Sequence, residues 1–326
     1  AKINTNRRRT LPLRAIGELA IEARVNVHYN LSYAIALDLA KVTAWANAVA
    51  PYFPIDRDLY LECGNEPWNE GGQYAVPLQA VGDRLSLPVG VRANNPMSYA
   101  ELVRVTAEAA KVVRERWAAH GLDPSRVKAL LNTGPGNWLS YAIPVIQEMN
   151  NSGDPLLRIN EISCNTYWSN YGRQENMAVF PGFESLTAEQ TLDFLELTVT
   201  RGNEAFAAAS IQRVQLNDAG LSDVTMSSYE GAPEILTVGF QAAPEFDPAN
   251  VETQAQCARL GLLQVGIFRH PRWVGIMHGM FNRLQEIGLT RLTRYVAVGP
   301  TFKAGGTDRQ MVSRIWWTSY TSMNVA

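Results

Sequence analysis

The sequence predicts an α/β domain built around a parallel sheet, and three observations carry that expectation. Short apolar runs alternate with longer amphipathic stretches from residue 12 to about residue 290, as strands joined by helical crossovers do. Capping residues and glycines punctuate the helical stretches. The composition is globular: of 326 residues, 46% are hydrophobic and 18% charged, enough apolar material for a large core.

The elements follow in order. Arg24-Val25-Asn26-Val27-His28 reads as the first strand, with a helix over 33–50 behind it. Asp58 to Cys63 is the second strand, and a Gly/Pro/Asn-rich loop follows. Ser98 and Glu101 form a capping box for a helix from Tyr99 to about Ala119. Gly121 stands where a terminal glycine belongs, with Pro124 beyond it. Leu102, Val105, Ala109, Val112 and Arg116 with Trp117 recur at near-helical spacing, so this helix buries one face. Val127 to Asn132 is the third strand, 138–150 a helix, and Ile159 to Asn165 the fourth strand. A second capping box, Thr187 with Gln190, opens a long helical region. Val224 to Ser228 is the fifth strand, 250–267 a helix, and Trp273 to Met277 the sixth strand. In the tail, Tyr295 to Val298 and Ile315 to Trp317 suggest a hairpin or a capping extension. One α/β domain over 1–290, with a β extension over 291–326 packed on it, is the simplest organisation.

Charge and cysteine usage exclude several classes. The 29 basic and 31 acidic side chains leave a net charge of −2, and Arg7-Arg8-Arg9 is the one basic run, so no nucleic-acid footprint is expected. No apolar run is long enough to span a membrane, and no signal peptide is visible in the first twenty residues. Cys63, Cys164 and Cys257 are too few and too far apart for a disulfide framework, and no CxxC pair suggests zinc. His270 and His278 have no third ligand near them, Gly134-Pro135-Gly136 is no phosphate-binding loop, and no GxSxG elbow occurs. No metal and no cofactor are expected.

Two segments carry chemistry. Leu59 to Cys63 runs straight into Gly64-Asn65-Glu66-Pro67-Trp68-Asn69, a carboxylate flanked by amides and an indole at a strand end. Val224 to Ser228 leads likewise into Tyr229-Glu230-Gly231. The C-terminal ends of parallel strands are where barrel enzymes place their chemistry. Two carboxylates there are the equipment for cutting a glycosidic bond, one neutral to protonate the leaving oxygen and one ionised to attack the anomeric carbon. A lone Glu after a strand is ordinarily a helix cap or an ion-pair partner; the company of Asn65, Pro67 and Trp68 sets Glu66 apart. Glu62, alternating with Tyr60, and Glu234, beyond Pro233, read as structural.

Gly64 to Asn69 resembles the acid/base motif of the clan A glycoside hydrolases, the retaining (β/α)8-barrel glycosidases, and Ser228-Tyr229-Glu230-Gly231 resembles their nucleophile motif. The likeness covers roughly residues 24–282, and bacterial members labelled cellulose-binding are the nearest in kind. It implies a TIM barrel with strands three to eight in this chain, Glu66 as acid/base at the end of strand four and Glu230 as nucleophile at the end of strand seven. It further implies Asn65 on the sugar 2-hydroxyl, His28 and Asn30 at the end of strand three, and Tyr167 and Trp168 at the end of strand six beside Tyr229. Trp68, Trp138 and Trp168 are the candidate sugar-stacking rings. Clan members often carry a tryptophan at the end of strand eight; here that end reads Met277-His278-Gly279, with Trp273 at the start. Strands one and two have no counterpart, and the expectation is that upstream residues of a longer polypeptide or another chain supply them.

The resemblance implies a carbohydrate substrate and an extracellular or virion-associated setting. The arginine-rich, lysine-poor composition fits a bacterial or phage source. Two functions stay open: an active retaining glycosidase degrading a polysaccharide or oligosaccharide, or a non-catalytic carbohydrate-binding or structural barrel of a larger secreted or phage-tail protein.

Overall fold

The computed structural model describes residues 13–64, 76–88, 95–134, 138–166, 187–230, 266–267 and 269–292. Among these residues six strands form one parallel sheet in chain order: β1 (Val27–Leu31), β2 (Leu59–Cys63), β3 (Val127–Thr133), β4 (Ile159–Asn165), β5 (Thr225–Glu230) and β6 (Leu289–Leu292). The helices are α1 (Leu13–Ala23), α2 (Tyr33–Ala36), α3 (Leu39–Val49), α4 (Val76–Arg84), α5 (Pro96–Ala119), α6 (Trp138–Asn150), α7 (Ala188–Arg201), α8 (Glu204–Asp218) and α9 (Pro271–Ile287). The chain divides into two compact units, one of Ala1–Asn165 with Ile211–Ser227 and one of Thr166–Ser210 with Ser228–Ala326.

In the first unit β1, β2, β3 and β4 pair in parallel, so every helix between them is a crossover. One face of these strands is apolar. Leu31, Leu59, Leu61, Val127, Ala129 and Leu131 are buried, and the Tyr29 ring meets Trp45 of α3 at 4.9 Å. The β3–β4 register shifts between Ala129 and Leu130. Asn160 sits at that irregularity, and its side-chain oxygen accepts the Ala129 N–H (2.9 Å) and the Arg114 guanidinium (2.5 Å). Arg114 also donates to the carbonyls of Val127 (3.0 Å) and Leu156 (2.5 Å). Burial lowers its pKa to about 10, and neutral oxygens carry most of its solvation.

Local chemistry explains where the helices start and stop. The stretch expected as one helix over 33–50 is two, because the Asp38 carboxylate accepts the Ala40 and Lys41 N–H groups and caps a new start. The long α5 begins at Pro96, earlier than Ser98 suggests. Asn95 caps it through the Met97 N–H (2.8 Å), Pro96 takes the first turn, and Ser98 is buried inside the helix. Gly121 follows its end at φ 75°, as expected.

In the second unit the Thr187–Gln190 capping box forms as expected. The segment Trp273 to Met277, expected as a strand, lies instead inside α9. His270 caps that helix, Pro271 opens it, and Gly288 closes it in the left-handed region. Buried Trp273, Ile276, Met277, Met280 and Leu284 repeat at helical spacing, and this period overrides the strand-like look of the short apolar run. The sixth strand is therefore β6, past α9. Arg272 of α9 pairs with Glu189, Asp193 and Glu196 of α7. Among the described residues no helix is long and apolar enough to cross a membrane. The helix expected within 250–267 lies almost wholly outside the described residues, and the tail beyond Leu292 does so entirely.

The placement of the α5 cap predicts that Asn95→Ala lowers stability by about 1 kcal/mol. Among the described residues the Ser98 hydroxyl has no hydrogen-bond partner, so Ser98→Ala should be neutral or slightly stabilising. Urea melts of the two variants should rank in that order; a cost at Ser98 and none at Asn95 would reassign the cap.

Candidate functional site

Parallel strands deliver their C-terminal ends to one edge, and in the first unit β2 leads toward the first of the two chemically loaded segments. β2 stops at Cys63 because Gly64 turns the chain at φ 80°, a backbone conformation that side chains strongly disfavour. The Gly64 N–H donates to the Leu31 carbonyl (3.2 Å), tying that turn to β1. Asn65, Glu66 and Trp68 follow immediately in sequence and lie outside the described residues, as do Tyr167 and Trp168. β5 runs two residues beyond its expected end, so Tyr229 and Glu230 are its last residues.

Below that edge, the face opposite the apolar one is polar. Register places Asn30, Glu62, Leu130 and Glu161 in one row across β1 to β4. Glu62 is 3% and Glu161 2% exposed. Alternation along the strands sends both carboxylates to the same side, two strand spacings apart, or about 10 Å.

The Glu62 carboxylate joins three strands. One oxygen takes the Nε2 of His28 in β1 at 2.7 Å, and the other accepts the Asn132 side-chain amide of β3. Among the described residues, that orientation leaves the buried Asn132 Oδ1 without a partner. The Asn132 carbonyl accepts the Tyr99 hydroxyl of α5 at 2.5 Å. Burial, reinforced by the Glu62 charge, holds the Tyr99 phenol well above its ordinary pKa, so it stays a donor.

The Glu161 carboxylate joins β4 to β5. It accepts the Ser227 hydroxyl at 2.5 Å and lies 3.4 Å from the Thr225 hydroxyl, while Ser227 also meets the Ser163 hydroxyl at 3.0 Å. Each buried carboxylate thus braces a strand that ends in a candidate catalytic segment.

β1 starts at Val27, three residues later than expected, so His28 sits near the beginning of the strand. Asn30 takes the place near its C-terminal end and is exposed. Trp138 opens α6, five residues beyond the end of β3, and its ring is partly exposed. The Met277-His278-Gly279 segment belongs to α9 and ends no strand.

Glu62, read from sequence as structural, proves to be the hub of the polar face; Asn132, Glu161 and Ser227 carried no sequence expectation at all. A signal was present in Leu59-Tyr60-Leu61-Glu62-Cys63 and Ile159-Asn160-Glu161-Ile162-Ser163: a carboxylate in the middle of an apolar strand needs donors on its neighbours. Among the described residues, no group of three or more His, Cys, Asp or Glu side chains could hold a metal ion. No known protein family, curated protein or solved structure matches the chain.

Removing the hub leaves the His28 and Asn132 donors facing each other without an acceptor. Glu62→Ala should therefore cost at least about 2 kcal/mol in urea unfolding, and a loss below about 0.5 kcal/mol would show that the network does not brace the sheet. Burial also pushes the Cys63 and Cys164 thiols from an ordinary value of 9.0 up to about 12. The unfolded thiols ionise first as pH rises, so their contribution to stability is intact below pH 9 and is lost between 9 and about 12. The urea midpoint of the wild type should fall through that window, and Cys63→Ala and Cys164→Ala should each flatten the fall; an unchanged slope in both would contradict it.

Proposed function

We propose that this chain is a retaining glycoside hydrolase acting on a polysaccharide or oligosaccharide, with Glu66 as acid/base and Glu230 as nucleophile. The observation that carries the reading is that a strand leads directly into each glutamate motif. β2 passes through the left-handed Gly64 into the sequence Asn65-Glu66-Pro67, and β5 ends on Glu230. The six strands, in chain order, fit strands three to eight of a (β/α)8 barrel, with β2 as strand four, β5 as strand seven and β6 as strand eight.

In the first half-reaction the Glu230 carboxylate attacks the anomeric carbon. The bond to the leaving oxygen breaks, and Glu66 gives that oxygen its proton. A glycosyl ester on Glu230 results. Glu66, now ionised, takes a proton from water as the water oxygen attacks the same carbon, releasing the sugar and restoring both carboxyls. Asn65 would hold the 2-hydroxyl, where a contact that tightens in the transition state contributes most. Asn30, Trp68, Trp138, Tyr167, Trp168 and Tyr229 are the proposed sugar contacts; His28, near the start of β1 with its Nε2 on Glu62, belongs to the support instead. The buried Glu62 and Glu161 stay out of the chemistry and fix the strands that deliver it. A polysaccharide substrate goes with an extracellular or virion-borne site of action.

Glu66→Gln and Glu230→Gln should each lower the hydrolysis of aryl glycosides by roughly 10²-fold or more with the fold intact. Azide should restore turnover in Glu230→Ala by taking the place of the missing carboxylate, yielding a glycosyl azide of inverted configuration. Wild-type turnover in the Glu230 variants would remove the assignment.

A further inference from the structure

We propose that Ser228 and Thr166 are positioning residues for the proposed nucleophile Glu230, acting through a shared buried hydrogen bond that fixes the end of β5. The inference rests on the two-glutamate reading above and adds to it two residues that touch no substrate.

β5 is tied to its neighbour β4 at successive levels. Near its start the Thr225 hydroxyl donates to the Asn160 carbonyl at 3.2 Å. The Ser227 hydroxyl meets Glu161 and Ser163, and the Ser227 carbonyl accepts the Cys164 thiol at 3.3 Å. One residue further, the Ser228 and Thr166 hydroxyls share a hydrogen bond of 2.6 Å. Ser228 is fully buried and Thr166 is 2% exposed. Glu230, two residues beyond Ser228, ends the strand.

Successive residues of a strand point to opposite sides. Ser227 reaches Glu161 and Ser163 on the polar side, so Ser228 lies on the other, with Met226. That side is otherwise apolar, with Met226, Ile162 and Cys164 buried. An alanine at 228 and a valine at 166 would fill such a layer without burying two hydroxyls, whose desolvation offsets much of what their hydrogen bond gains. The pair supplies direction instead. Apolar contact is non-directional, whereas a hydroxyl pair holds one distance and angle. With Ser227 held on one side and Ser228 on the other, β5 can neither roll about its axis nor slide along β4 just before Glu230.

Such restraint acts on rate more than on binding. A nucleophilic carboxylate must come within about 3–3.5 Å of the carbon it attacks, and a misplacement of about 1 Å costs on the order of 10²-fold. A lost substrate contact raises KM; a nucleophile off its line lowers kcat with KM little changed.

The test is steady-state hydrolysis of a panel of aryl glycosides by the full chain and four variants, each checked for folding by near-UV circular dichroism. Thr166→Val keeps the shape of the side chain and removes the hydroxyl; Thr166→Ser keeps the hydroxyl and removes the methyl. Ser228→Ala and Thr166→Val should each lower kcat by roughly tenfold or more, with KM within about threefold of the wild type. Thr166→Ser should stay within about threefold in both. The double variant Ser228→Ala/Thr166→Val should be no slower than the slower single one, because both changes remove the same bond. Ser228→Ala, which deletes one oxygen, decides the matter where Thr166→Val disturbs packing. Unchanged kcat in a folded Ser228→Ala, a rise in KM in place of the loss in kcat, or equal losses in Thr166→Val and Thr166→Ser would overturn the positioning role and leave the two-glutamate reading in place. A wild type that hydrolyses none of the panel overturns that reading, and the positioning role with it.

Discussion

Burying the Glu62 carboxylate obliges its neighbours to supply hydrogen-bond donors, and the arrangement of the polar face follows from that obligation. A carboxylate 3% exposed in the middle of a strand would be strongly destabilising without partners. His28 on one flanking strand and Asn132 on the other meet it, so β1, β2 and β3 hold one register. A slip of one residue would turn Glu62 to the apolar face and bring Leu61 or Cys63 into the polar one. Glu161 meets the same requirement with hydroxyls of β4 and β5. These groups make the sheet specific.

The same constraint separates support from catalysis. A catalytic carboxylate must meet substrate and change protonation state during the reaction, whereas Glu62 and Glu161 are enclosed and have donors committed to them. Two strand spacings put them about 10 Å apart, beyond the roughly 5–5.5 Å that retaining chemistry uses. The proposed reacting pair, Glu66 and Glu230, is therefore distinct from these two buried carboxylates.

Much of the fold was legible in the sequence where local chemistry acts alone. The Thr187–Gln190 box, the Gly121 stop, the α6 boundaries and the β4 limits all follow from side chains within a few residues. Legibility failed where tertiary context decides. Trp273 to Met277 is apolar enough for a strand, and only the longer spacing through Met280 and Leu284 reveals a helix. Leu289 to Leu292 is too short and polar to announce β6 by itself. At the site, Asn65-Glu66-Pro67 stood out because its residue types are unusual together. Glu62 and Glu161 did not, because the partners that explain them come from up to 70 residues away. The shift of β1 by three residues shows the same limit: period-two alternation marks a strand better than it marks its ends.

The proposed retaining mechanism requires that Glu230 become covalently bound to the sugar. Incubating the full chain with a set of 2-deoxy-2-fluoro glycosyl fluorides, then digesting it and locating any added mass, tests this directly, because the fluorine slows breakdown of the glycosyl ester. One added glycosyl unit is expected, on the peptide containing Glu230 and on that residue. A label on Glu62, Glu161 or any other side chain, or no label from any sugar in a chain that nonetheless hydrolyses glycosides, would contradict it.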